Sequence, residues 1–327
     1  MMDHTGRQPD RLFLRRSQTG LSLVELMISL TIGLVLLAGI TTLIVQQSGA
    51  RREMEKSGRQ IENGRYAMEI LRGDIEHAGF YGEYATPGNA IYQTPDPCET
   101  TINLQGWDPP ASVVVPVPIQ GVAAAEATPA GCAATIADRQ PDTAMLTVRR
   151  TASATIDPAD VVAASGVTYL QVSRCDADTQ QTQLAQAAFT LRLKDCATPA
   201  PLRGYIVRTY YVSTGATLKM AEFANGILKT ESLVDGIENM QFEYGIDTTD
   251  DGAPDSYTAA PTAAQWENVM AVRVYLLARN NETTAGYTDA KIYNLGAAAS
   301  AVAPGGAFKR HVYTQVVRAT NPSGRRE

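Results

Sequence analysis

The chain has 327 residues, enough for one large or two small domains with real cores. Its formal charge is −6, and the basic residues are scattered apart from Lys309-Arg310-His311 and Arg325-Arg326. That excludes a uniformly basic nucleic-acid binder and leaves those clusters as solvated surface, with a polyanion contact as the alternative. The three histidines, His4, His77 and His311, and four cysteines without C-x-x-C spacing offer no zinc-ligand pattern. G-x-S-x-G, P-loop, G-x-G-x-x-G and H-E-x-x-H sequences are also missing, so an enzyme would lack its usual parts.

Residues Met1 to Gly20 are polar, with Arg7, Arg11, Arg15 and Arg16 against Asp3 and Asp10. From Leu21 to Val45 the character changes: 25 residues carry one charge, Glu25. As a helix this run is about 37 Å long at 1.5 Å per residue, enough to cross a hydrocarbon core of about 30 Å. It is too long for a usual secretory h-region, although Ser48-Gly49-Ala50 loosely imitates a cleavage site; a buried soluble helix is the other alternative. Arg15 and Arg16 favour a cytoplasmic N-terminus, but Arg51, Arg52, Lys56 and Arg59 flank the far side, so charge alone does not orient the span.

The segment Gly20-Leu21-Ser22-Leu23-Val24-Glu25-Leu26-Met27 resembles the class III signal of type IV prepilins: a basic leader, a glycine, then an apolar helix with glutamate at its fifth residue. The resemblance implies that a prepilin peptidase cuts on the cytoplasmic side between Gly20 and Leu21 and methylates Leu21. The family usually has phenylalanine at that first mature position, and its leaders are usually shorter. The physics of Glu25 agrees. A carboxylate at membrane depth costs a few kcal/mol even on lenient scales (about 2.5–3.5) and needs a partner. Cleavage would create an α-amine of reference pKa about 7.7–8.0, spaced i,i+4 from Glu25. The resemblance implies that the glutamate meets the amine of a neighbouring subunit and sets register. An uncleaved anchor with a snorkelling glutamate is the alternative.

Helical patterning continues past Gln46-Gln47-Ser48, with Ile61, Met68, Leu71 and Ile75 on one face and Glu55, Arg59, Glu62, Glu69 and Arg72 opposite. Gly33, Gly39, Gly49, Gly58, Gly64 and Gly73 each weaken a helix by up to about 1 kcal/mol; they suit either local bending or close packing. The run from Gly64 to Phe80 resembles the helix end of PilW-type minor pilins, which closes on an Ala-Gly-Phe turn at Ala78-Gly79-Phe80, with Gly79 supplying the permissive backbone.

Residues 83–140 read as long loops with a strand at Ser112–Ile119. Further strands are expected at Thr143–Arg149, Val167–Ser173, Ala187–Leu193, Tyr205–Val212, Thr217–Phe223, Gln241–Ile246, Val269–Ala278 and Val312–Val317. Ile206, Arg208 and Tyr210 alternate with Val207, Thr209 and Tyr211, as in a sheet with one buried face. Turn residues and not helices separate the strands, which predicts a largely antiparallel sheet. Residues Pro322–Glu327 read as a frayed tail. Cys98, Cys132, Cys175 and Cys196 suggest two disulfides in an exported chain. Of three pairings, Cys98 with Cys132 and Cys175 with Cys196 closes the shortest loops; reduced buried cysteines are the alternative.

The stretch Leu233 to Asp247, with Trp266 and the strand to Ala278, also resembles large minor pilins of the PilW kind. Just after it, Asp247, Thr249, Asp251 and Asp255 occupy positions 1, 3, 5 and 9 of an EF-hand-like loop with Gly252 at position 6. Thr258 stands where a bidentate glutamate belongs, so calcium is a weak candidate beside an aspartate-rich turn bonded to its own backbone.

These readings predict an α+β, type IV pilin-like fold: a leader (1–20), a transmembrane half-helix (21–45), a periplasmic amphipathic half-helix (46–79) and a β-rich periplasmic domain (80–327). The resemblance implies a minor pilin in filament initiation, at the tip or only at the start, held in the inner membrane and then carried into the extracellular pilus. Its partners would be other minor pilins, the major pilin, a tip adhesin and the prepilin peptidase. Removing the leader takes the formal charge from −6 to −8, and nothing supports nucleic-acid binding. The alternatives are a J-type pseudopilin of type II secretion or, from another class, a membrane-anchored binding domain or enzyme in which carboxylates such as Asp235 and Glu238 meet in space.

Overall fold

In the computed structural model, which describes residues 20–107, 113–162, 165–224, 226–296 and 301–326, a single helix α1 runs from Leu23 to His77. Contacts divide the chain into two units, 1–54 and 55–327. In the first unit the large apolar side chains of α1 from Leu23 to Val45 are exposed, and none of its most apolar window is buried.

In the second unit α1 presents Gln60, Gly64, Ala67, Met68, Leu71, Asp74 and Ile75 inward, a stripe at three- and four-residue spacing. Ile61, expected on this face, is 46% exposed. Gln60 takes the inward place because its Nε2 donates to the carbonyls of Ala278 at 2.8 Å and Lys309 at 3.2 Å, so the buried amide is not left without acceptors. The helix ends where Gly79 adopts φ +71°, a conformation that disfavours any Cβ, and its N–H turns to the Arg149 carbonyl at 2.9 Å.

Among the described residues thirteen strands follow: β1 (Ile91–Gln93), β2 (Val114–Pro116), β3 (Ile119–Val122), β4 (Met145–Thr151), β5 (Tyr169–Val172), β6 (Thr182–Ala185), β7 (Leu202–Ser213), β8 (Thr217–Ala224), β9 (Ile227–Asp235), β10 (Ile237–Ile246), β11 (Ser256–Thr258), β12 (Val269–Arg279) and β13 (Arg310–Arg318). β7 is the hub of a seven-stranded sheet, pairing with β4, β5 and β8; β3, β6 and β9 extend it. The second sheet runs β11-β10-β12-β13. Every pairing in both is antiparallel, and only the small β1–β2 ribbon is parallel. The architecture is α+β.

Both sheets share one core with the helix: Met68, Leu71 and Ile75 sit in the same cluster as Leu146 and Leu218 of one sheet and Phe242 and Val274 of the other. Strand β7 departs from the one-face expectation, since Tyr205, Val207 and Tyr211 are buried as well as Tyr210. The loop-rich segment after the helix covers that second face, with Tyr81, Tyr84, Trp107 and Val115 packed on Tyr205 and Val207.

Residues 187–193 form no strand. Ala188, at φ +60°, breaks the extension, and Leu191 is held by the Gln171 side chain, which accepts from its N–H at 2.9 Å and donates to its carbonyl at 3.0 Å. Residues 322–326, expected to fray, are packed instead. A short helix α2 (Thr320–Gly324) buries Pro322 and Ser323, and Arg325 donates to the Gly79 carbonyl at 3.2 Å. The expected residues Ser112 and Glu327, and the leader before Gly20, lie outside the described residues.

A Cβ built on Gly64 would stand 2.2 Å from the Tyr313 ring, so here glycine marks close approach of helix and sheet. Replacing Gly64 with Ala is expected to destabilise the domain by about 1–3 kcal/mol through overpacking, measured by urea unfolding, and Tyr313→Leu in the same chain should recover part of the loss.

Candidate functional site

The residues with the clearest chemical oddity lie at the head of α1. Gly20 and Leu21 precede the helix and are exposed. Ser22 caps it, its Oγ accepting from Val24 N–H at 3.3 Å and its carbonyl from Leu26 N–H at 3.0 Å. Glu25 therefore sits in the first turn, where the helix dipole favours an anion. Leu21 lies two residues before the helix in this uncut chain, so the spacing to Glu25 is not yet a helical one.

Farther along, the few hydroxyls of the apolar segment fold back on the main chain. Ser29 donates to the Glu25 carbonyl at 2.7 Å, Thr31 to Ile28 at 2.8 Å, Thr41 to Leu37 at 2.7 Å and Thr42 to Ala38 at 2.8 Å. Each satisfies its donor without water, which is what a low-dielectric surrounding demands. Glu25 is the one side chain in Leu21–Val45 that cannot be satisfied in this way when ionised.

The cysteines are joined as Cys98–Cys132 and Cys175–Cys196. These bridges close loops of 34 and 21 residues, and each contributes about 3–4 kcal/mol on the loop-entropy account. Asp96 lies close enough to Cys98 and Cys132 to suggest a metal cluster by proximity, but both sulfurs are bonded to each other. The Asp96 carboxylate instead accepts from the N–H groups of Cys98 and Gly131 at 2.8 and 3.3 Å.

At the aspartate-rich loop the carboxylates are engaged by donors. Asp247, buried, accepts from the N–H groups of Thr249, Asp250 and Gly252 at 3.1, 2.7 and 3.0 Å and from Arg326 at 3.2 Å. Burial alone would raise its carboxyl; the Gly252 and Asp250 amides and Arg326 outweigh that and hold it below the usual range. Asp255 accepts from Thr248 N–H at 2.7 Å and from Thr249 N–H at 3.2 Å, which lowers it too. Asp251 accepts from Ala253 N–H at 2.9 Å. Thr249 turns its hydroxyl toward Asp255. The oxygens proposed for calcium thus serve the turn, and the Arg326 guanidinium stands beside Asp247 as its cation.

Other groups weighed for chemistry are spoken for. His77 Nδ1 is 2.6 Å from the Gly73 carbonyl, and His311 packs edge-on against Tyr313. Asp235 accepts from Thr217, whereas Glu238 pairs with Arg279 and Arg310, so the two carboxylates do not join in one site.

Two family models match this chain. One, described as Prokaryotic N-terminal methylation motif, covers residues 15–41 and so includes Gly20, Leu21 and Glu25. The other, described as Type IV Pilus-assembly protein W, covers residues 205–321, from within β7 into α2. Over residues 205–321 the chain is PilW-like. The second match begins upstream of the stretch from Leu233 singled out by sequence, and Gly64–Phe80 lies in neither match. No curated protein matches, and no solved structure does. The PilW-like domain and the methylation motif indicate a structural component related to type IV pili.

Sequence reading missed Asp74 and the hydroxyls of the apolar segment, and it took Arg310 for solvated surface, whereas Arg310 is 8% exposed and paired with Glu238 and Asp289. Asp74 had a signal: it falls within the apolar stripe, where a charge is out of place unless paired. For the aspartate loop, stripping divalent cations with EDTA is expected to leave the melting temperature unchanged, while Asp247→Ala lowers it by several degrees. A fall on chelation that calcium restores would make the loop a cation site.

Proposed function

We propose that this PilW-like chain is a minor pilin that helps start a type IV pilus filament and stays at or near its tip. The observation that carries the reading is the head of α1: Gly20, then an exposed apolar span whose one charge is Glu25. On this reading the prepilin peptidase hydrolyses the Gly20–Leu21 peptide bond on the cytoplasmic side and methylates the new amine of Leu21. That amine is largely cationic at neutral pH, its reference pKa being about 7.7–8.0. It supplies the positive partner that a carboxylate at membrane depth requires.

Residues 21–45 hold the chain in the inner membrane, with 46–79 and 80–327 in the periplasm, until the subunit enters the filament. There Glu25 meets the Leu21 amine of a neighbouring pilin and sets register. The β-rich domain contacts other minor pilins, the major pilin or a tip adhesin by recognition and not by turnover. Fixed disulfides suit the oxidising compartment this route implies. A J-type pseudopilin of type II secretion shares the same signal; the match to the pilus-assembly family over residues 205–321 supports the pilus.

The intact mass of membrane-extracted protein should correspond to a chain starting at Leu21 and carrying one methyl group. Full-length mass in cells with active prepilin peptidase would overturn the processing step. Glu25→Ala should insert normally yet leave cells with few filaments, counted by electron microscopy; wild-type piliation would contradict the role given to Glu25.

A further inference from the structure

The ends of the two sheets are guarded unequally. On the seven-stranded sheet the long outer strand β9 carries exposed Lys229 and Glu231, and its pairing with β8 is interrupted by a register shift at Leu218–Lys219. Both are devices that discourage a further strand. The outer strand β11 of the other sheet is only three residues long. Strand β13 has none of these protections. It is nine residues long and pairs with β12 in unbroken register, and between Arg310 and Arg318 it has no Asp, Glu, Lys, Arg or proline.

Its backbone phase follows from the ladder. The bonds Ala319 N–H to Met270 O and Asn280 N–H to Lys309 O, at 2.8 and 3.0 Å, bracket the pairing and place odd-numbered residues in the bonded pairs. Val312, Thr314 and Val316 therefore turn N–H and C=O away from β12, and no described strand meets them. Val316 is 49% exposed.

Beside the start of this edge lies a groove of about 470 Å³ between α1 and β13. Ile61, Tyr287 and Tyr313 give it apolar surface; Arg65, Lys291 and Lys309 make it basic, and no acidic residue lines it. That is a local reversal of sign on an acidic chain.

We infer that β13 accepts an added strand from a partner chain: an extended segment of alternating β-branched residues whose acidic end enters the basic groove. Backbone bonds to Val312, Thr314 and Val316 supply affinity, and the groove supplies direction and choice of partner. A second copy fits less well, because pairing β13 with itself about Thr314 would set Arg310 opposite Arg318. The inference extends the filament reading by naming a contact surface, and its test does not depend on processing at Gly20.

The test uses the full chain in detergent micelles and two synthetic peptides, alternating threonine–valine octamers flanked by glutamates or by lysines. Hydrogen exchange read by mass spectrometry should show the glutamate-flanked peptide protecting residues 311–317, with binding at least about tenfold tighter than the lysine-flanked one. Val316→Lys, which keeps the ladder to β12, should abolish that protection, and Thr314→Pro, which removes an outward N–H, should do the same if it remains folded. Absence of protection, equal affinity for both peptides, or indifference to Val316→Lys would overturn the inference. Protection of 311–317 that rises with protein concentration without peptide would make the occupant a second copy and would equally overturn it.

Discussion

The architecture of the folded unit depends on one buried carboxylate. Asp74, 5% exposed, points from α1 into the seam with the seven-stranded sheet and is met there by three donors. Arg150 of β4 reaches it at 2.9 Å, Arg208 of β7 at 3.1 Å, and the Tyr210 hydroxyl makes a short hydrogen bond to it. Burial alone would raise the Asp74 carboxyl, but Tyr210, Arg208 and Arg150 together outweigh it and keep it below its usual value. The same contact pushes the Tyr210 hydroxyl up, through burial first and the carboxylate second. Apolar contact between helix and sheet is tolerant of sliding; a carboxylate that must find two guanidiniums and a phenol is not. Asp74 therefore sets the register of the helix on the sheet.

With that register set, other features fall into place. Gly64 lies under the Tyr313 ring, and Gln60 reaches the ends of β12 and β13. The groove between α1 and β13 exists because these contacts hold the helix a fixed distance from the strand. A second network does the same for the long segment between β12 and β13. There Arg310, 8% exposed, bonds Asp289 at 2.8 Å and also Glu238, while Tyr293 donates to Asp289 at 2.9 Å. Buried charges so arranged are a costly way to gain stability and an effective way to specify one packing. A subunit that must present one fixed surface to its neighbours has use for that specificity.

How much was legible depended on whether the signal was local. The apolar run with Gly20 and Glu25 stands out because membrane partition acts on consecutive residues. Strands β4, β5, β7, β8, β10, β12 and β13 were visible as alternation, because each buries at least one face. Strand β9 was not, since its middle residues are exposed on both faces and no pattern selects them. The segment Ala187–Leu193 imitated a strand, although the force acting there is the Gln171 amide holding a loop. Ile61 was placed inward from its own polarity and Asp74 was passed over, whereas the places of both depend on partners far along the chain. The aspartate loop had cation spacing but is organised by backbone amides and Arg326, contacts that spacing does not reveal.

The helix–sheet joint is most directly tested by urea unfolding of the wild-type chain and Asp74→Asn across a pH series. A carboxylate lowered on folding stabilises fully above its unfolded pKa of about 3.9 and loses that contribution as pH falls through the folded value. The account predicts that the substitution costs about 3–5 kcal/mol at pH 7, because it removes the buried carboxylate that the half-buried Arg150 and Arg208 share and leaves Arg208 with Glu222 alone. It also predicts that the gap between the two proteins narrows as the pH drops below about 4. Equal stability at pH 7, or a gap that does not change with acid, would contradict it.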